Sequence, residues 1–377
     1  MAHYMNKNIM LHKMRLKILQ ELIAESQTNA IAFNAGIDLT FLTGLTFHLS
    51  ERPVILIVPR VGNPVIIFPE FEKEKVLRSN TDLVLFPYQE NPAFWPDVAR
   101  QALQALDLPD QSIAVSPLSF RFLELNLLQT ASSRCNFYSA EEILRLVYVI
   151  KDQQAIKCIQ KAVEIAETAL KKLLPTIQTG KTEKEIANQL IINLLSSGSD
   201  PDLPFSPIVA SGPNSADPHA IPGDRKLQVG DLLIIDWGAR YDGYVSDITR
   251  TFIIGKMNEQ FMKIADIVHQ ANQSARKMVR PGKIASQIDA AARGKIEESG
   301  FGDRFTHRTG HGIGLREHED PYISSTDQTV LDKGMVFTIE PGIYLPTMGG
   351  VRIEDDILVT SDGGKTLTNL PRDLICL

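Results

Sequence analysis

The sequence is poor in cysteine, with only Cys135, Cys158 and Cys376 in 377 residues. They are far apart, odd in number and show no C-x-x-C spacing, which argues against a disulfide framework and against a thiolate zinc site. We read them as buried or incidental thiols. An excess of positive charge is also lacking, with 39 Lys and Arg against 45 Asp and Glu. The formal net charge is -6, so the chain has no basic footprint and no nucleic acid is expected as partner. Long hydrophobic runs are missing, and none approaches the roughly 18 residues that a bilayer crossing requires. The N-terminal residues 1–19 mix Lys, Arg and His with apolar residues instead of forming the continuous core of a secretion signal. A cytoplasmic location, with no membrane partner, is the default, and Met5, Met10 and Met14 offer alternative starts. Low-complexity tracts and short repeats are absent as well.

What is present describes a soluble α/β (α+β) protein. The hydrophobic fraction is 44% and the charged fraction 22%, ordinary for globular chains. The length points to two domains, placed at 1–147 and 148–377. In the first, residues 11–25 have helical apolar spacing, followed by short β-rich runs (AIAFN, PVILIV, PVIIF, LVLF, SIAV) and a helical stretch over 98–106. Its only dense polar group is His48, Ser50, Glu51 and Arg52, read as a solvated loop. The second domain opens with a helix over about 152–173. Another helix starts at Thr182, an N-cap with Glu185 three residues on, which is a capping box. The Pro-, Gly- and Ser-rich segment 201–227 reads as an ordered loop. Two long helices, about 257–279 and 284–299, separate the remaining β patterns.

Three constellations in this second domain carry chemistry. In GDLLIIDWGARYDGYVSDITRTF, the apolar strand Leu232–Ile235 runs into Asp236, and a return strand over 244–252 carries Asp247, 11 residues later. A buried carboxylate at the end of an apolar strand needs a partner, and two of them repel unless a proton or cation lies between. In HRTGHGIGLREHEDP, His307, His311 and His318 fall within twelve residues, three of the chain's eight histidines. Neutral imidazole is a common ligand for divalent transition metals, and the alternating glycines let the backbone approach closely. In MVFTIEPGIYLPTMGGVRIEDDILVT, the strand 335–339 ends in Glu340. A second hairpin leads to Arg352 and Glu354, which alternate across Ile353 and so share a strand face. Asp355 and Asp356 read as solvent-facing or capping. Four carboxylates (Asp236, Asp247, Glu340, Glu354) and one imidazole (His311) suit two divalent cations with a bridging hydroxide as nucleophile. Oxygen-rich ligation favours Mn, Fe or Co.

Taken together, the D-x10-D, H-x-x-G-H-G-I-G-L-x-x-H-E-x-P, I-E-P-G and R-I-E-D segments resemble the pita-bread metallopeptidases. Among these they are most similar to the Xaa-Pro peptidases, prolidase and aminopeptidase P. The motifs cover residues 150–377, and the first 145 residues resemble, more loosely, the creatinase-type N-terminal domain. The resemblance implies a dinuclear enzyme that takes Mn, Co, Fe or Zn and cleaves the bond before proline in a dipeptide or longer peptide. It assigns Asp236 to one metal, Asp247 and Glu354 to both, and His311 and Glu340 to the second, with Glu340 also accepting a proton. It gives His219 a proton-shuttling role at the scissile region and His318 the oxyanion, and it makes His307 and Arg352 groups that shape the site. It implies a homodimer or larger homo-oligomer. Methionine aminopeptidase, a lyase or C–N hydrolase on the same scaffold, and a non-catalytic binding protein are the alternatives. Retention of all five ligands disfavours a metal-free mechanism or a binding protein. The residues do not choose between dipeptidase and aminopeptidase P.

Overall fold

Each of the apolar, β-branched runs in the first 147 residues becomes a strand, and those at 30–34, 55–59 and 65–69 bury both of their faces between neighbours. The computed structural model describes residues 2–79, 81–108 and 112–377, and it divides into two compact units, Met1–Val147 and Tyr148–Leu377. Met1, where the reading of the N-terminus begins, lies outside the described residues.

The first unit runs α1 (Ala2–Glu25), β1 (Ala30–Asn34), α2 (Ile37–Thr43), β2 (Ile55–Pro59), β3 (Val65–Pro69), α3 (Lys73–Leu77), β4 (Val84–Tyr88), α4 (Trp95–Ala105), β5 (Ser112–Val115), α5 (Phe122–Ala131), β6 (Asn136–Ser139) and α6 (Glu141–Tyr148). Its six strands form one sheet in the order β4-β3-β2-β1-β5-β6. The β1–β2 and β2–β3 pairs are antiparallel and the outer pairs parallel. Alternate residues Ile55, Ile57, Val65 and Ile67 pack with Ala99 and Leu103 of α4 and Leu128 of α5. The loop at His48–Arg52 is solvated, with Arg52 paired to Glu51 and Glu90.

The second unit begins with α7 (Gln153–Leu173) and α8 (Glu183–Ser196). Asp152 caps α7 by accepting from the Ala155 N–H at 2.7 Å, and the Thr182–Glu185 capping box starts α8. Strands β7 (Ile208–Ser211), β8 (Leu232–Trp237), β9 (Arg240–Tyr241), β10 (Tyr244–Val245) and β11 (Ile248–Ile253) follow, then α9 (Glu259–Met278) and α10 (Ala285–Glu298). The chain closes with β12 (Gly310–Gly312), β13 (Glu319–Ile323), β14 (Val336–Ile339), β15 (Gly342–Leu345), β16 (Gly349–Arg352), β17 (Asp355–Thr360), β18 (Gly363–Thr366) and β19 (Ile375–Cys376). Two larger sheets result, ordered β19-β11-β8-β7 and β13-β12-β14-β17-β18, with small hairpins β9–β10 and β15–β16. The apolar stripes of α9 (Phe261, Ile264, Val268) and α10 (Ile288, Ile296) share a core with Phe337 and Ile357. Trp237 is fully buried and donates its indole N–H to the Ala166 carbonyl at 2.9 Å, tying β8 to α7.

Four local expectations change. Segment 201–227 is not all loop, because Ile208–Ser211 pairs antiparallel with β8 and buries its apolar side chains there. The return strand over 244–252 is interrupted at Ser246-Asp247, between β10 and β11. The strand that carries Arg352 stops there, and Ile353-Glu354 link the β15–β16 hairpin to β17 in a different sheet. Asp355 and Asp356 are completely buried, not in solvent, because β17 lies between β14 and β18.

Candidate metal centre

The breaks in these strands are where the candidate ligands sit. Asp236 is the penultimate residue of β8, opposite Thr249 of β11. Asp247 lies in the gap before β11, freed from the ladder, so its side chain projects at the sheet's end. His311 sits in β12 at an irregularity between His311 and Gly312, which re-aims the strand. Glycine is required on either side. A Cβ at Gly310 would lie 1.9 Å from the Thr338 carbonyl oxygen, and one at Gly312 would lie 2.1 Å from that of Asp320. Glu340 follows β14 directly, and Glu354 occupies the two-residue link before β17.

These elements bring all nine side chains expected at a site to one cavity of about 490 Å³ in the second unit: His219, Asp236, Asp247, His307, His311, His318, Glu340, Arg352 and Glu354. Ligand atoms of Asp247, His311 and Glu354 lie within 4.8 Å of one another. His311 Nε2 is 3.6 Å from Asp247 Oδ2 and 3.4 Å from Glu340 Oε1. The His318 ring stands edge-on to His311, with centroids 4.1 Å apart. Asp236 lines the same cavity, and its second oxygen, Oδ1, is buried without a hydrogen-bond partner.

The electrostatics follow from this crowding. Burial, then repulsion by Glu354 and Asp236, pushes Asp247 well above the usual carboxylate range. Burial and repulsion by Glu340 and Asp236 do the same to Glu354. Burial raises Glu340 to about 7 against the opposing pull of Arg352. Burial holds His311 well below the usual imidazole range and lowers His318 to about 4. Buried carboxylates that repel one another when ionised, an oxygen with no donor and a neutral imidazole form a donor set that a divalent cation completes. The residues present therefore fit such an ion.

Around this group runs a hydrogen-bonded chain. Arg352 donates to Asp236 Oδ2 at 2.7 Å, to the Tyr344 hydroxyl at 3.0 Å and to Thr249 Oγ1 at 3.2 Å. Thr249 in turn donates to Glu354 Oε2 at 2.6 Å. Burial, then the charge of Arg352, lowers His307 to about 4. As a neutral ring it donates Nδ1–H to the Arg308 carbonyl at 2.7 Å and accepts from Tyr344 at 2.8 Å on Nε2.

Sequence reasoning missed several members of the site. Thr249 and Tyr344 carry no charge and lie mid-strand, so nothing in the pattern marked them. Arg308 lines the cavity beside His307. It sat inside a motif already singled out, and a cation next to that histidine was the available signal. Its guanidinium packs 4.5 Å from the Tyr322 ring centroid. Among the described residues it makes no ion pair, although its charge acts on His311, His318 and Glu340.

Known proteins resemble this chain along most of its length. Residues 157–361 match the model of metallopeptidase family M24, and residues 15–147 that of the creatinase/prolidase N-terminal domain. An Xaa-Pro dipeptidase of Pyrococcus horikoshii is 43% identical over 260 residues, 69% of this chain and 73% of that protein. The crystal structure of a dipeptidase from the same organism superposes with a TM-score of 0.91 at 37% identity, over 96% of this chain and 100% of the other. That of an X-Pro aminopeptidase from Thermotoga maritima superposes at 0.84 and 30% identity, over 96% and 99%. Among the described residues, no helix is long and apolar enough to cross a membrane.

Proposed function

The chain belongs to metallopeptidase family M24, and from that premise we propose that it hydrolyses the Xaa-Pro bond of dipeptides. The creatinase-type and catalytic parts are assigned to residues 1–147 and 148–377. Relatives carry both dipeptidase and aminopeptidase names, so the choice rests on one observation in this chain. Arg308 brings a guanidinium to the cavity wall, where a ring face holds it without engaging its N–H donors. A planar five-donor cation with no ion partner suits a free carboxylate. In a dipeptide, that carboxylate sits on the proline whose nitrogen is to be released. In a longer peptide it is an amide, which carries no charge.

The roles of the remaining residues follow from their placement. Asp236, Asp247, His311, Glu340 and Glu354 would hold two divalent ions, of which Mn, Fe or Co best suits so oxygen-rich a set. When bound, the ions polarise the scissile carbonyl and lower the pKa of water. Arg352 fixes Asp236 and, through Thr249, Glu354, so that two ligands are set by one guanidinium. His318, neutral at pH 7, offers an N–H to the developing oxyanion. Glu340, beside His311 in the cavity, is placed to accept and return a proton. The prolyl nitrogen must be protonated to leave as an amine, and His219 at the cavity edge is the group assigned to deliver that proton. His307 and Tyr344 keep Arg352 oriented. A cytoplasmic location and a homodimeric or larger assembly belong to the same reading.

The test is hydrolysis of Xaa-Pro dipeptides, their C-terminal amides and longer Xaa-Pro peptides by protein reloaded with Mn or Co. Dipeptides should be cleaved best. Arg308→Ala should lower kcat/KM for dipeptides by about tenfold to a hundredfold, the worth of one charge-assisted pair, and leave the amides unchanged. Equal cleavage of longer peptides, with no effect of Arg308→Ala, would favour the aminopeptidase. No cleavage of either by metal-loaded protein would end the peptidase reading.

A further inference from the structure

His219 lies at the exposed tip of segment 212–222 (GPNSADPHAIP), with Ile221 beside it 89% exposed. Such a tip has little of its own to hold it. Within the segment, the only side-chain bond near the tip is the His219 N–H donating to Asp217 Oδ1 at 3.0 Å. The segment is instead fixed at both ends by one carboxylate. Glu183, the first residue of α8, is fully buried. Its Oε1 accepts from the Ser211 N–H and the Ser211 hydroxyl, each at 2.7 Å, and from Asn214 Nδ2 at 3.1 Å. Its Oε2 accepts from Asn214 Nδ2 at 3.2 Å and from the Gly223 N–H at 3.2 Å. Ser211 and Asn214 lead into the segment, and Gly223 leaves it.

Nothing at the metal centre touches Glu183, and it forms no salt bridge among the described residues. A buried carboxylate is costly unless its lone pairs are filled, and the charge of Arg225 reaches this one only across the Ser211 hydroxyl. Here backbone, hydroxyl and amide donors fill them, so the carboxylate cannot shift without freeing both ends of the segment together. Arg225 reinforces the same junction, donating to Ser211 Oγ at 2.6 Å while held by Asp231 at 2.6 and 2.9 Å. On its far side the segment meets the site, where the Pro218 carbonyl accepts from Arg352 at 3.4 Å and Ser215 Oγ accepts from the Gly350 N–H at 2.9 Å.

We propose that Glu183 is a positioning residue, whose carboxylate clamps the two ends of segment 212–222 and thereby places His219 over the metal centre. The proposal rests on the role assigned to His219 above. The experiment therefore has one arm that does not depend on that role. In Glu183→Gln, one oxygen becomes a donor facing donors. Hydrogen exchange of the metal-free protein should quicken across 212–222 and stay unchanged in strands 232–237 and 248–253. Unchanged exchange in 212–222 overturns the clamp. The second arm is a double-mutant cycle on an Xaa-Pro dipeptide with metal content measured. Glu183→Gln should lower kcat at least tenfold with metal content retained, His219→Ala should lower it more, and the double variant should match His219→Ala. Multiplicative losses would show that Glu183 acts by another route and overturn the proposal. An unaffected kcat in His219→Ala, with exchange still quickened by Glu183→Gln, would keep the clamp but remove its catalytic purpose, and so overturns it as stated. Should Glu183→Gln fold poorly, the exposed Asn214→Ala removes two of the same bonds. It must then show the same pattern at smaller amplitude, and its absence counts against the clamp.

Discussion

Three consecutive residues, Glu354, Asp355 and Asp356, bury carboxylates in opposite conditions. Asp355 points into a cluster of cations and donors. Arg250 lies at 2.8 Å, Arg372 at 2.7 Å, Arg276 at 3.7 Å, and Thr368 Oγ1 and Asn272 Nδ2 donate at 2.6 and 3.1 Å. Burial alone would raise it, yet Arg250 and Arg372 outweigh that and hold it far below the usual range. Glu354 and Asp356 face the other way. Glu354 has a single hydroxyl donor and repelling neighbours, and burial raises it well above its usual range. Asp356 accepts the Asp247 N–H at 3.2 Å on one oxygen, while the other has no partner. One face of the link is finished by the protein, and on the other Glu354 turns into the cavity where a cation is proposed. The finished face fixes the backbone of the unfinished one, since Arg250 also donates to the Glu354 carbonyl at 2.6 Å.

The contrast breaks most sharply at Asp247. Asp247→Asn removes a proposed ligand from the unfinished face. Activity should fall by more than the roughly hundredfold that changes around a metal site's ligands cost, with bound metal reduced, while urea unfolding of the metal-free protein shows no loss of stability. Asp355→Asn should do the reverse. It leaves three guanidinium groups without their carboxylate and should cost about 3–5 kcal/mol of folding stability, read from the urea midpoint. Thr249→Val takes the one donor from Glu354 and the support from Arg352, and should weaken metal affinity by about tenfold to a hundredfold with a smaller change in stability.

The smallest effect is in the pH profile, and its sign differs between the two faces. Groups raised in the fold, Asp247, Glu354 and Asp356, and Glu340 at about 7, bind protons more tightly folded than unfolded. Stability they contribute is complete below the ordinary carboxylate range and is lost as pH rises, for Glu340 through about 7. Asp355, depressed in the fold, contributes stability above the ordinary range that is lost as pH falls below about 4. Below about pH 6.5 the lowered histidines His307, His311 and His318 oppose this slope, so metal-free protein should lose stability in urea unfolding as pH rises above about 6.5, and saturating Mn should abolish that loss. A flat profile without metal would mean that the unfinished face is not strained.

The same contrast explains what could be read from the sequence. Strands 30–34, 55–59 and 65–69 and helices α7, α9 and α10 were legible from periodicity, and five residues that share one cavity, the proposed ligands, from carboxylates and a histidine set against apolar, glycine-rich strands. Asp355 and Asp356 were misread because a run of acids after Ile353 looks like surface. Only the tertiary approach of Arg250 and Arg372, more than a hundred residues before and seventeen after Asp355, buries the first. Glu183 was hidden because its partners are backbone and amide groups 28 to 40 residues away. Asp289 was hidden likewise, since it accepts from the Thr309 N–H and hydroxyl and pairs with Arg293, which donates to the His307 carbonyl. Residue type marks a group that needs an ion, but not one that the fold satisfies by itself.

The central claim is that the unfinished carboxylates hold protons until cations replace them. Calorimetric titration of the metal-free protein with Mn near pH 6.5, repeated in buffers of different ionisation enthalpy, measures ion stoichiometry and proton release together. The account predicts two ions per chain with net release of protons, fewer ions in Asp247→Asn and unchanged stoichiometry in Asp355→Asn. Binding without proton release, or binding unaffected by Asp247→Asn, would contradict it.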